Sequence, residues 1–407
     1  MFTRRALLAG GAAVAAARPS FGQQAPVIRI GILGDQSGVY RDQGGPGSQA
    51  CVRQAVAEFA SANGLKAEVL VADHQNKPDV GLNIARQWFD HGVDVLTDIQ
   101  GSAVALAVNN LVRERDKVML ACNVGVSDIT GHACTPNTVH WAYDTQMLTR
   151  TAANAMLREG GDTWFVIRAD YAFGKTLFEE VSALVTRGGG RVVGDVATPF
   201  PNTDFSSAIL AAQASRAKVV ALALSGDDMV NCVKQAGEFG LTRRGQKLCA
   251  LLTFINNVHA LGLEAAQGLM LGASFYWDLN DRTRAFSRRV TTSGFDPGSR
   301  PNMSQAATYS AVLHYLKAVK EVGVPEAKRS GAAVVARMKR IPVEDDVLGR
   351  ATVREDGRVV SSAYLFQVKS PAESRGPWDY YKLVSTLGPE EAWRPLNEGG
   401  CPLVRTG

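Results

Sequence analysis

Gly45-Pro46-Gly47-Ser48-Gln49-Ala50 has the spacing G-x-G-x-x-A, in which glycines let a backbone turn approach a pyrophosphate, and an acid, Asp73, ends the next strand-like run. The chemistry of such a pattern is dinucleotide binding. A dinucleotide cradle follows its strand directly, whereas about ten residues intervene here, so a phosphate group could not sit at the strand tip. Ala169–Thr176, ADYAFGKT, is a relaxed phosphate loop with alanine in place of its first glycine. That cradle needs several N–H groups curled onto an anion, and Asp170, Tyr171 and Phe173 oppose both the charge and the curl. His74, His91, His132, His140, His259 and His314 show no H-E-x-x-H or comparable metal spacing. Ser37, in Gly-Asp-Gln-Ser-Gly, has the wrong offset for a nucleophile elbow. We therefore expect no enzyme activity, no cofactor and no metal.

What recurs instead is a strand end, a few small polar residues, then a helix start. DQSGVY follows the first strand, QGSA (Gln100–Ala103) the third, CNVGVSD (Cys122–Asp128) the fourth, and RADYAFG (Arg168–Gly174) a strand of the second half. Ligands of doubly wound sheets bind beyond the carboxyl ends of the strands, and the free N–H groups of a helix start favour an anion there.

The elements that must position these loops alternate regularly. Apolar strands at Ile28–Leu33, Ala67–Ala72, Val95–Ile99 and Val118–Ala121 are separated by helix-patterned Gly47–Phe59, Val80–Asp90 and Ala103–Arg115. The same order repeats from Thr145, with strands at Trp164–Ile167, Arg191–Val196, Val219–Leu224 and Leu248–Leu252. Strands separated by helices imply an α/β fold of two doubly wound parallel-sheet lobes joined by a hinge. The long amphipathic stretch Gln305–Gly323 is expected to return to the first lobe. The segment 351–369, with an Asp-Gly hairpin signal at Asp356-Gly357, is expected to complete the second. The expected division is 27–144 plus 277–346 for lobe 1, and 145–276 plus 347–407 for lobe 2.

The chain has 407 residues, 46% of them apolar and 20% charged, an ordinary globular balance. Of its net charge of +5, Arg4, Arg5 and Arg18 lie within residues 1–22, and the rest has no nucleic-acid footprint. That opening pairs a positive start with a short apolar run, Ala6 to Ala17, and small residues before Gln23, the layout of a cleaved export signal of twin-arginine-like type. A periplasmic location follows. Six cysteines allow 15 pairings. Cys51, Cys232 and Cys249 lie in apolar helix or strand patterns, whereas Cys134 and Cys401 lie in loop-like contexts and are the expected pair if one disulfide forms.

With GDQSGVYRDQGGPGS, DIQGSA, DYAFGKTLFEE, QGLMLGASFYWDLND, REDGRVVSSAYLFQVK and GPWDYYKLV, nearly the whole chain after residue 26 resembles the periplasmic solute-binding proteins of branched-chain amino-acid-type ABC importers. The resemblance implies a type I two-lobed fold whose cleft closes on a small solute, a monomer that delivers it to a membrane ABC permease. By position Ser102, with Ala103 beside it, and the backbone from Asn123 to Gly125 would hold a carboxylate. Tyr171 would close over it from the second lobe, and Ser37 and Tyr40 would line the mouth. Family members that bind α-amino acids hold the ammonium with an acid on the second lobe, and ALLTFINN (Ala250–Asn257) contains none; Asp227 is the remaining candidate, with a helix N-cap role as its alternative. FYWDLND and GPWDYY are also similar to members that bind aromatic carboxylates, which Arg168, Tyr171, Tyr276 and Trp277 would suit. Packing is the alternative for Tyr276 and Trp277. A ligand sensor that signals to a membrane kinase or chemoreceptor would use the same fold and cleft.

Overall fold

In the computed structural model, residues 26–405 are described; the expected export signal lies outside them. The first sheet contains β1 (Val27–Gly34), β2 (Lys66–Asp73), β3 (Val95–Asp98), β4 (Val118–Ala121) and β5 (Thr138–His140), all parallel, in the order β2-β1-β3-β4-β5. The second contains parallel β6 (Thr163–Ala169), β7 (Arg191–Thr198), β8 (Val219–Ala223), β9 (Lys247–Ala250) and β10 (Met270–Ala273). Its edge is extended by two antiparallel strands from the C-terminal region, 363–368 and 381–387, next to β10. The fold is thus the expected two-lobed type I periplasmic binding fold, with mixed α/β layers and two mainly parallel sheets flanked by helices.

Each sheet has a switch point where successive strands add on opposite sides, at β1/β3 in the first and β6/β8 in the second. A crevice opens beyond the carboxyl ends of the strands at such points. The helices that follow are α1 (Gly45–Phe59), α2 (Pro78–Asp90) and α3 (Ser102–Glu114) on the first sheet. Those after the first crossing are α4 (Thr145–Arg158), α5 (Ala172–Arg187), α6 (Ser206–Ser215) and α7 (Gly226–Glu238). α1 buries Ala50, Cys51, Val52 and Ala55 and packs lengthwise on the 20-residue helix Met303–Val322. Asn302 caps that helix by accepting from Ser304 N at 2.9 Å and Gln305 N at 3.0 Å, a contact worth about 1 kcal/mol.

The segment 351–369 divides differently from expectation. The Asp-Gly turn closes a small antiparallel sheet of Val343–Asp345, Gly349–Val353 and Val359–Val360, which meets β5 through a bridge between His140 and Arg358. Only the part after Ser362 joins the second sheet. The buried Arg358 explains the split: its guanidinium donates to Trp141 O at 2.5 Å and Tyr143 O at 3.2 Å, tying the hairpin to the crossing after β5. Cys134 and Cys401 form a disulfide with Cα atoms 5.6 Å apart, anchoring the C-terminal region beside β5. The other four cysteines are buried and free.

Candidate functional site

The loop between β1 and α1 is built around one carboxylate. Asp35, fully buried at the strand end, accepts from Gly38 N at 2.7 Å and Tyr40 N at 3.0 Å. Gln100, from the turn after β3, accepts from Asp35 N and donates to Tyr40 O at 3.4 Å. Held at both backbone atoms, Tyr40 turns inward. Gln43, farther along the loop, donates to Ser225 Oγ after β8 at 3.0 Å.

The turn after β3 is the tightest part of this wall. Asp98 and Ile99 have φ of 75° and 50°, and Gly101 has 87°. Left-handed backbone is costly for a β-branched residue such as Ile99, of order 1–3 kcal/mol, and persists only where the surroundings enforce it. The turn starts α3 at Ser102 with no side-chain cap, so its first N–H groups lack intrahelical partners. Ser102 Oγ accepts from Val126 N at 3.3 Å.

Opposite stand residues of the second sheet. Tyr171 precedes α5 and its hydroxyl lies 2.5 Å from that of Tyr40, while the Phe200 ring packs against both, tilted to Tyr171 at 4.7 Å and stacked on Tyr40 at 5.7 Å. Phe173 presses on Gly125 so closely that a Cβ there would lie 2.6 Å from its ring. Ser127 Oγ adds a further bond between the lobes, to Glu180 at 2.5 Å.

A narrow cavity of about 20 Å³ lies between these walls, lined by Tyr40, Gln43, Gly101, Ser102, Asn123 and Gly125 from one side and Tyr171, Phe173, Ser225 and Leu252 from the other, with Tyr143 at the crossing. Burial raises the pKa of Tyr40, Tyr143 and Tyr171 far above the usual phenol value, so all three remain neutral hydroxyls. Tyr143 OH donates to Asn123 Oδ1 at 3.1 Å, as does Ser304 Oγ at 3.1 Å, which fixes the amide. Asn123 Nδ2, also buried, has no partner among the described residues.

Facing Asn123 from beneath lies Asp98, fully buried, with neither carboxyl oxygen partnered at good geometry among the described residues. Burial pushes its pKa up to about 7; Ser48 and Asn123, which face it, pull the other way, and Asp35 adds to the rise.

Of the residues expected from sequence, Tyr40, Ser102, Asn123, Gly125 and Tyr171 meet around the cavity. The others stand elsewhere. Ser37 is exposed and donates to Asp73 Oδ2 at 2.5 Å, and the Ala103 methyl faces outward one residue beyond Ser102. Arg168 pairs with Asp195 at 2.7 Å, its guanidinium over the Phe178 ring, because strand alternation turns it away from the cleft. Asp227 is exposed in the first turn of α7, while its neighbour Asp228 is buried and caps the 200–204 turn by accepting from Asn202 N at 3.0 Å. Burial pushes Asp228 up to about 6. Trp277 packs under Arg300 and donates to Trp378 O at 2.9 Å; Tyr276 donates to the same oxygen at 3.2 Å. Both serve packing.

Sequence reading missed Gln43, Gly101, Tyr143, Phe173, Ser225 and Leu252 as lining residues. Ser225 and Leu252 follow strand ends and were accessible to the strand-end rule; Tyr143, in the crossing after β5, carries no local signal.

The comparisons with known proteins agree with this architecture. The periplasmic binding protein family matches residues 27–376. A crystal structure of a periplasmic binding protein from Burkholderia mallei is 41% identical, with a TM-score of 0.87, over 93% of this chain and 99% of that one. A branched-chain amino acid ABC transporter periplasmic ligand-binding protein from Burkholderia xenovorans is 38% identical, TM-score 0.82, over 92% and 99%. At 20% identity, a solute-binding protein of an ABC transporter from Rhodopseudomonas palustris in complex with p-hydroxybenzoic acid shares the fold, TM-score 0.82, over 90% and 99%. The chain belongs to the periplasmic binding protein family.

Proposed function

We propose that this chain is the exported solute-binding component of an ABC importer, and that its cleft captures a small aromatic carboxylate for delivery to a membrane permease. The observation that carries the cargo class is the cavity wall: Tyr40, Tyr143, Tyr171 and Phe173 offer faces and edges to a ring, while Ser102 and the uncapped start of α3 offer donors to an anion. No acidic side chain is among the described lining residues, so an α-amino acid would find no carboxylate for its ammonium. An unpaired buried ammonium is strongly disfavoured. Asp228, whose charge acts on Tyr40 and Tyr171 of the wall, itself lies outside the lining. The cavity, about 20 Å³ as the lobes stand, is closed down to the size of a water, so a ring with its carboxylate is taken in only as the lobes part.

The test is a thermal-shift screen followed by calorimetry with benzoate, 4-hydroxybenzoate and leucine on the purified mature protein. A ligand at 100 times its Kd stabilises by about 2.7 kcal/mol. Benzoates are expected to stabilise and leucine is not; stabilisation by leucine alone would overturn the cargo assignment.

A further inference from the structure

Asp98 is a buried carboxyl group that the cargo reading does not use and that nonetheless faces Asn123 of the cavity wall. It ends β3, and its backbone oxygen accepts from Asn123 N at 3.0 Å and Cys122 N at 3.2 Å, so Asp98 is tied directly to the cavity wall. Its Oδ2 occupies space that only glycines leave: a Cβ on Gly34 or on Gly44 would lie 2.7 Å from it. Gly34 and Gly44 bracket the loop that carries Tyr40 and Gln43. The left-handed pair Asp98-Ile99 aims the carboxyl inward and in the same turn delivers Ser102 to the cavity. Three buried polar groups converge here, the Asp98 carboxyl, Ser48 Oγ and Asn123 Nδ2: Ser48 and Asn123 turn toward Asp98, yet none of these atoms has a partner at good hydrogen-bond geometry among the described residues. Such groups are normally paired, and Asn123 lines the cavity above while facing Asp98 below.

We propose that Asp98 is a positioning residue that sets the charge selectivity of the cleft: protonated, it leaves the Asn123 amide to an anionic cargo, and ionised, it draws that amide under the floor and repels the anion. The inference rests on the carboxylate reading given above. The titratable groups facing Asp98 are Asp35 from the end of β1, Cys51 from α1, Cys122 from the end of β4 and Tyr143 from the crossing. None is a cation. The buried Arg358 acts on Cys122 and is paired with Asp144 at 3.6 Å. A cargo carboxylate therefore meets no positive side chain to offset an ionised Asp98.

The experiment is calorimetric titration of benzoate, ionised throughout, into the mature wild type and Asp98→Asn between pH 6 and 8. With a group that titrates at about 7 and a competent fraction that falls as it ionises, wild-type Kd should rise about tenfold across this range. The variant should bind with a flat profile at or near the wild-type affinity of pH 6. In wild type at pH 8, titrations in buffers of different ionisation enthalpy should show uptake approaching one proton per benzoate bound; this arm needs no variant to fold. A flat wild-type profile, or binding without proton uptake, would overturn the role of Asp98 and leave the cargo class standing. Absence of benzoate binding at every pH would remove the carboxylate reading and the inference together.

Discussion

The two walls of the cleft are built on opposite physical terms. The first-lobe wall is polar and strained: a helix start without a cap, two consecutive left-handed residues, a buried acid and an amide with a free donor. The second-lobe wall presents Tyr171, Phe173 and Leu252, backed by Phe200, with Ser225 as a further polar member and a Tyr171 hydroxyl that burial keeps neutral. On the proposed reading, charge recognition falls mainly to the first lobe and apolar contact mainly to the second. A solute first held by the polar wall would be sealed by aromatic groups that exclude water and strengthen the electrostatic contacts beneath them. The polar wall is the costlier to build, since unpaired buried groups and left-handed turns both oppose folding.

The sharpest way to separate the walls is Asp98→Asn, read as stability against pH. The folded-state pKa of about 7 lies above the unfolded value near 3.9, so the native carboxyl favours folding only while protonated, and its ionisation penalty grows as pH rises between these values. The variant is expected to gain on wild type progressively from pH 4 to 7 and then hold a constant advantage, of order 4 kcal/mol at most. Chemical denaturation at several pH values measures it, and a pH-independent difference would show that the acid is not held as described.

Closure is broken next by Gly125→Ala. The added methyl would sit 2.6 Å from the Phe173 ring, and overpacking of this kind costs about 1–3 kcal/mol. The loss should appear in cargo affinity more than in stability, and Phe173→Leu in the same chain should restore part of it. Unchanged affinity would mean that the lobes do not need this approach.

Tyr171→Ala removes a ring and the hydroxyl partner of Tyr40, with an expected loss of about 1–3 kcal/mol in cargo binding. Ser102→Ala on the polar wall should lose about 1 kcal/mol and reduce the preference for the acid over its amide analogue, which Tyr171→Ala should leave alone. If both variants lose affinity for acid and amide equally, the division of labour fails. The smallest effect is expected for Asp227→Ala, an exposed side chain outside the wall, within about 0.5 kcal/mol in either affinity or stability. A large loss in calorimetry would return Asp227 to the site.

How much was legible in sequence follows from where each signal resides. Strand and helix periodicity is local, so the two βα runs and the parallel sheets could be read from residues 27 to 252 directly. Strand-end loops are equally local, which is why Tyr40, Ser102, Asn123, Gly125 and Tyr171 were found. Element starts were displaced by a few residues, with consequences: α7 begins at Gly226, which turns Asp227 to solvent and buries Asp228. On a helix, neighbouring residues point about 100° apart, so an error of one position changes which acid faces the protein.

The amino-acid order by itself determined two α/β lobes, the strand-end loops that line the cavity and the glycine-rich entry to α1, because these depend on contacts between near neighbours. Tertiary structure alone decided that the glycine loop is folded around Asp35 and Gln100 to deliver Tyr40 inward, and that Arg168 is spent on Asp195. It also decided that Asp98 faces Asn123 from beneath, 25 positions away along the chain yet on the adjoining strand end. Each of these is an outcome of which strands adjoin and which way their side chains alternate, and such pairings are fixed by the packing of the whole sheet rather than by any stretch of residues within it.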